Sequence, residues 1–268
     1  MLVWVALLSC LGAMSGSAFA KAPVTASGPP LSLDKYHVTF EDDFSTLSIS
    51  AHGPGTRWIA HTPWHGDFGS AMFSNPGTGV FSAGPNGLTI IASKGPDGKW
   101  RSGLIASIAR DNNPASGFAQ QFGYFEMEAK LPSGMGTWPA FWLSGLYKGS
   151  TATEIDVIEY YGGFPGLYHT TIHFWRDRKG DERVVSVPRG MLSSQFNRFG
   201  VLITPRTTRF YLNRQAYWTM PTPPEFRQPM YILANLALGG GWPIKGLQSP
   251  VKMQIHYIKV WQQDAPLP

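Results

Sequence analysis

Glu154, Asp156 and Glu159 fall within one six-residue run, Glu154-Ile155-Asp156-Val157-Ile158-Glu159, that is otherwise apolar and β-branched. Carboxyl groups this close can cleave a glycosidic bond, one as nucleophile and one as proton donor, if they flank it at the right distance. The run reads as a strand, and alternation puts Glu154 and Asp156 on one face. Glu159, five positions from Glu154, faces away on a regular strand. One extra residue, a β-bulge, returns it to the same face, and bulges are common beside active sites. The two glutamate Cα atoms are then roughly 13 Å apart. Long side chains leaning together bring the carboxyl groups to about 5–5.5 Å, the spacing of a retaining glycosidase. Two plainer readings stand beside this one. The run could be a solvated acidic strand face, although stacked like charges cost stability, or it could line a calcium site.

The elements that must position these residues are strands. Leu88 to Ala92 follows a Pro85-Asn86-Gly87 turn, and Phe125, Met127, Ala129 and Leu131 alternate with Tyr124, Glu126, Glu128 and Lys130. Phe199–Thr204 and Thr208–Leu212 flank Pro205-Arg206-Thr207 as a hairpin, and Met253–Trp261 is a further β-rich run. With 30 Gly and 22 Pro punctuating short apolar runs, and no sustained helical period, the class is all-β, a sandwich or barrel.

The chain has 268 residues, 43% of them hydrophobic, enough for one sizeable core or at most two small ones. Residues 1–20 read as a secretory signal, with an apolar stretch from Leu2 to Leu11 leading to Ala18-Phe19-Ala20, although no Lys or Arg precedes it. Residues 21–34, rich in Pro, Ala, Ser and Gly, read as an arm or linker, and 35–268 as one catalytic domain. Cys10 is the only cysteine and leaves with the signal, so thiol chemistry, disulfides and cysteine-held zinc are excluded from the mature chain. No later segment is long and apolar enough to span a membrane as a helix. The net charge of +5 favours encounter with anionic polymers. The basic residues are not clustered with aromatics, which argues against nucleic acid as a partner. Ten tryptophans, several beside Gly and Pro as in Gly136-Thr137-Trp138-Pro139 and Gly241-Trp242-Pro243, have two readings each: core, or platforms on which pyranose rings stack.

The acidic hexapeptide resembles the active-site motif of glycoside hydrolase family 16 in its bulged version. The likeness extends along the chain through Phe122–Pro132, Gly136-Thr137-Trp138-Pro139-Ala140-Phe141-Trp142-Leu143, Leu233–Gly240 and Met253–Val260. It implies a two-sheet antiparallel β-jelly-roll sandwich with a concave sugar cleft, and endo-acting hydrolysis of β-linked glucans or galactans with retention. By position it implies Glu154 as nucleophile, Glu159 as acid/base and Asp156 between them. His173 sits where bulged members place an active-site histidine and shares a face with Thr171 and Trp175; a structural histidine is the other reading. Trp138 and Trp142 are the stacking candidates, Arg110 and Asn235 the polar ones.

Three departures qualify the likeness. Trp64-His65-Gly66-Asp67-Phe68-Gly69-Ser70 replaces the Asn-Asn-Glu-Leu-Gln-like stretch of laminarin-cleaving members, which unsettles β-1,3-glucan as substrate. His256 replaces an aspartate commonly used for structural calcium, which disfavours that ion, and the reading requires no cofactor. Asn213-Arg214 replaces a frequent Asp-Gly turn. The expected partner is a polysaccharide, neutral or a bacterial exopolysaccharide, acted on by a secreted or periplasmic monomer. A transglycosylase of the same fold and a non-catalytic lectin remain open alternatives.

Overall fold

The computed structural model describes residues 21–64, 66–110, 116–146, 152–175 and 178–264; the expected signal segment, Cys10 and His65 lie outside them. Strands pair into two stacked sheets, and helix among the described residues amounts to short pieces such as Met191–Ser194 and the 3₁₀ turn at Pro224–Phe226. One sheet runs Arg178–Ser186, Leu167–Trp175, Ala152–Glu159, Thr137–Gly145, Met230–Leu238, Leu104–Ala106, Trp58–Ile59, Ile49–Ser50. The other is built on Gln215–Pro221, Thr207–Leu212, Asn197–Ile203, Gly123–Lys130, Val251–Gln263 and Gly87–Lys94. The expected all-β sandwich is the fold observed. Its pairing is antiparallel except at the margins, where Ile49–Ser50 runs parallel to Trp58–Ile59 and Met72–Phe73 parallel to Trp100–Ser102.

Alternation explains the layers. Phe125, Met127 and Ala129 point inward to the main core, as do Phe141, Leu143, Ile155 and Ile232 from the facing sheet. Removing each large apolar side chain from water contributes about 1.5–3 kcal/mol. The bulge expected in the acidic strand is present. Against Thr137–Gly145, Trp142 pairs with Asp156 and Phe141 with Ile158, so Val157 is the added residue. Ile155, Val157 and Ile158 are all buried in the core, which a strict two-residue period cannot achieve. The apolar pattern therefore selects the bulge, and the bulge turns Glu159 outward.

Two segments behave differently from the strand pattern. Residues 21–34 dock along the sandwich margin: Val24 bonds Val184 and Ser186 of one sheet, while Gly28 and Leu31 bond Ala216 and Arg214 beside the other. Leu31, Leu33 and Tyr36 then cover an apolar cluster of Tyr124, Tyr211, Ala216 and Trp261 on the outward face of the second sheet. Under that cover Glu126, which alternation alone assigns to a solvated face, is 0% exposed. It accepts hydrogen bonds from Tyr124 Oη (2.7 Å), Tyr257 Oη (2.9 Å), and Arg214 Nε (3.0 Å) and Nη2 (2.8 Å). Arg214 reaches it from a turn in which Asn213 and Arg214 both have positive φ, 50° and 64°. That backbone costs a non-glycine residue about 1–2 kcal/mol, offset here by a bidentate bond to a buried carboxylate.

Candidate active site

The acidic strand presents its polar side chains on the outer face of its sheet, between the strands carrying Trp138 and His173. Asp156 is buried, while Glu154 and Glu159 are half-buried. Across one neighbouring strand, His173 pairs in register with Glu154. Its Nε2 lies 3.0 Å from Asp156 Oδ2 and 4.0 Å from Glu154 Oε1. The 3.0 Å approach is not an aligned hydrogen bond, and among the described residues Asp156 Oδ2 has no hydrogen-bond donor. Donor atoms of Glu154, Asp156 and His173 come within 4.8 Å of one another, the one such group among the described residues that could share a metal ion. Two carboxylates and an imidazole suit calcium poorly, since that ion takes six to eight oxygens.

Each glutamate is met by an indole N–H from a different side. Trp138 Nε1 donates to Glu159 Oε1 at 2.9 Å, with Tyr161 Oη 3.4 Å from the same oxygen. Trp175 Nε1 donates to Glu154 Oε2 at 3.2 Å. The Trp175 ring stacks on His173 at 4.7 Å and 10° yet remains 42% exposed. Trp138 and Tyr161 lie nearly parallel, 6.2 Å apart. They leave space only for a glycine at 240, where a Cβ would stand 2.8 Å from both rings.

Burial, followed by the charge of Asp156, pushes the Glu154 carboxyl up to about 8. Asp156 is held well above the usual carboxylate range by burial and by Glu159. The cluster therefore retains protons at neutral pH that isolated carboxyls would shed, and it can both give and take one.

The remaining expected site residues are placed elsewhere. Trp142 (5% exposed) and Asn235 (0%) are joined to each other, Trp142 Nε1 donating to Asn235 Oδ1 at 2.9 Å. Trp64 and Phe68 pack edge-on against Trp142, so this tryptophan offers no open face. Arg110 bonds His52, with 3.3 Å between Nη1 and Nε2, in a group where His61 joins Asp67 (2.7 Å) and Asn75 (2.9 Å). No described contact links Arg110 to the carboxylates. Tyr161 and Trp175 had no assigned role in the sequence reading. Trp175 lies two residues beyond His173, so strand alternation alone puts both on one face. His256 bonds Glu128 at 3.2 Å, and Glu128 also takes Arg198 Nε at 2.7 Å. Arg198 thus occupies the carboxylate that His256 bonds, which leaves it a poor calcium ligand.

Comparison with known proteins bears on the lineage of the chain. The model of Glycosyl hydrolases family 16 matches residues 97–259. Two curated relatives come from Rhizobium meliloti (strain 1021). The endo-1,3-1,4-beta-glycanase EglC is 32% identical over 85% of this chain and 52% of its own length. The endo-1,3-1,4-beta-glycanase ExsH is 34% identical over 88% and 54%. The chain thus spans about half the length of these relatives. Among solved structures, SCLam, a non-specific endo-beta-1,3(4)-glucanase, superposes with a TM-score of 0.73 at 22% identity, covering 90% of this chain and 97% of that one. The laminarinase of Rhodothermus marinus gives 0.70 at 22%, covering 85% and 98%. These two likenesses show the fold, and the matched family model, which runs through the acidic strand to the last strand of the sandwich, shows the lineage: the chain belongs to glycosyl hydrolases family 16.

Proposed function

We propose that the protein is a retaining endo-β-glycanase that cleaves β-1,3- or β-1,4-linked glucan within a polysaccharide chain. Glu154 attacks the anomeric carbon while Glu159 gives its proton to the departing oxygen. Water, deprotonated by Glu159, then releases the sugar from Glu154. The observation that carries this reading is the bulge at Val157, which brings two indole-capped glutamates onto one sheet face. To attack, Glu154 must lose the proton that burial makes it hold. Asp156 and His173, both beside it, are the groups placed to redistribute that proton.

Trp138 and Trp175 flank the carboxylates from neighbouring strands on either side, so a sugar chain crossing the strands meets an indole before and after the scissile bond. The names of the Rhizobium relatives support a β-1,3/1,4-linked substrate, and the +5 charge extends the range to anionic exopolysaccharide. Secretion is proposed from residues 1–20 alone. Proton NMR of the first product released from a β-glucan tests the mechanism. The β-anomer is expected before mutarotation, and initial α-anomer means inversion and removes Glu154 as nucleophile.

A further inference from the structure

Val157, the residue added by the bulge, has a buried side chain in the core and no register partner on either neighbouring strand. On the side of Leu167–Trp175, Asp156 pairs with Thr171 and Glu159 with His169, so Thr170 alone faces both Val157 and Ile158. A buried carbonyl left out of a ladder destabilises the fold unless a donor meets it. Thr170 supplies one, its Oγ1 donating to Val157 O at 2.9 Å.

With its proton committed there, the Thr170 hydroxyl accepts from Tyr217 Oη at 2.7 Å, and Tyr217 Oη is 3.4 Å from the same carbonyl. Tyr217 belongs to Gln215–Pro221, the margin strand of the opposite sheet. The contact therefore crosses the sandwich core. Burial raises the Tyr217 hydroxyl far above its ordinary range, so it remains a donor at any working pH. Its ring is fixed edge-on against Tyr168, 6.1 Å away at 88°.

We propose that Thr170 and Tyr217 are positioning residues for the proton-transfer step. By clamping the Val157 carbonyl they fix the shape of the bulge, and so the place of Glu159 relative to Glu154. Neither touches the substrate. Glu159 lies two residues beyond the clamped carbonyl, and Glu154 and Asp156 lie before it. A bulge free to relax leaves Glu154 in register with His173 and Asp156 with Thr171, and displaces Glu159. This inference rests on the reading of Glu159 as acid/base.

The test compares two substrates in Thr170→Val and Tyr217→Phe. The first is the β-glucan, whose leaving oxygen needs a proton. The second is a dinitrophenyl glycoside of a β-linked glucan disaccharide, whose leaving group needs none. Turnover of the polysaccharide is expected to fall roughly 10- to 100-fold, the upper figure being what a 1 Å misplacement costs, with KM unchanged. The pre-steady-state burst of dinitrophenolate keeps its wild-type rate, and Thr170→Ser restores turnover. If the folded variants slow both substrates equally, or neither, the clamp is only structural and the proposal fails. Should Thr170→Val not fold, Tyr217→Phe, which leaves Thr170 on the carbonyl, carries the same expectation. Glu159→Gln separates the two readings. If it spares the burst but Thr170→Val and Tyr217→Phe do not, only the positioning proposal fails; if it slows burst and polysaccharide alike, the acid/base assignment fails.

Discussion

Trp138 and Glu159 are joined across neighbouring strands by a 2.9 Å hydrogen bond from indole to carboxylate. On the proposed reading the same ring stacks against sugar, so one side chain would serve both the proton-transfer group and the substrate. Phenylalanine at this position keeps a ring and loses the donor.

Trp138→Phe is therefore expected to lower kcat by roughly 2- to 10-fold, since a hydrogen bond contributes about 0.5–1.5 kcal/mol, with little change in KM. Trp138→Ala should raise KM as well. Steady-state kinetics on one β-glucan separates the two effects. Equal KM in both variants would show that the ring is not a platform.

Glu154 makes stability depend on pH. Its folded pKa, about 8, lies above the unfolded carboxylate value, so it contributes stability that is complete below about pH 4.5 and is lost as pH rises through 8. Glu154→Gln should match the wild type near pH 4 and melt higher at pH 8. The gain is about 2–4 °C for each kcal/mol recovered. Calorimetry at the two pH values checks this, and an identical Tm at pH 8 would contradict the raised carboxyl.

Arg214→Gly relieves a positive-φ arginine and also strips Glu126 of its partner. The second effect should win, because breaking a buried ion pair costs about 3–5 kcal/mol against about 1–2 for the backbone. A fall in Tm of roughly 10 °C is expected, with kcat intact because Glu126 lies on the outward face of the other sheet. A variant as stable as the parent would mean that Glu126 is neutral or resolvated.

An anionic exopolysaccharide should be cleaved with a higher second-order rate as salt is lowered, since attraction to the +5 chain is screened over about 10 Å at 0.1 M. A neutral β-glucan should not respond. Equal salt dependence on the two polymers removes charge from the choice of substrate.

The acidic strand was legible in the sequence because its chemistry and its core pattern make one demand. Ile155, Val157 and Ile158 cannot all be buried without the bulge that also turns Glu159 outward. Phe125, Met127 and Ala129 were legible for the simpler reason of alternation. Trp142 and Asn235 were not. The burial of Trp142 is imposed by Trp64 and Phe68, on a stretch without regular period that crosses the sheet face from 74 to 78 residues upstream, and Asn235 is bonded to Trp142. Glu126 escaped in the same way, since Arg214, Tyr257 and the docked residues 31–36 reach it from distant parts of the chain. Local pattern assigns a face, and only tertiary cover decides whether that face is wet.

The docked segment 24–31 has a consequence of another kind. Arg178–Ser186 and Gln215–Pro221 end their respective sheets on the same side of the sandwich, and each presents a row of backbone groups that could recruit another copy of the chain. Val24 occupies one row, at Val184 and Ser186, and Gly28 and Leu31 the other, at Ala216 and Arg214. The segment is a partial cap, its backbone spent on covering part of each open margin to which a second molecule could otherwise add. Trimming it would leave the carboxylates in place and make the protein prone to stacking edge to edge into aggregates.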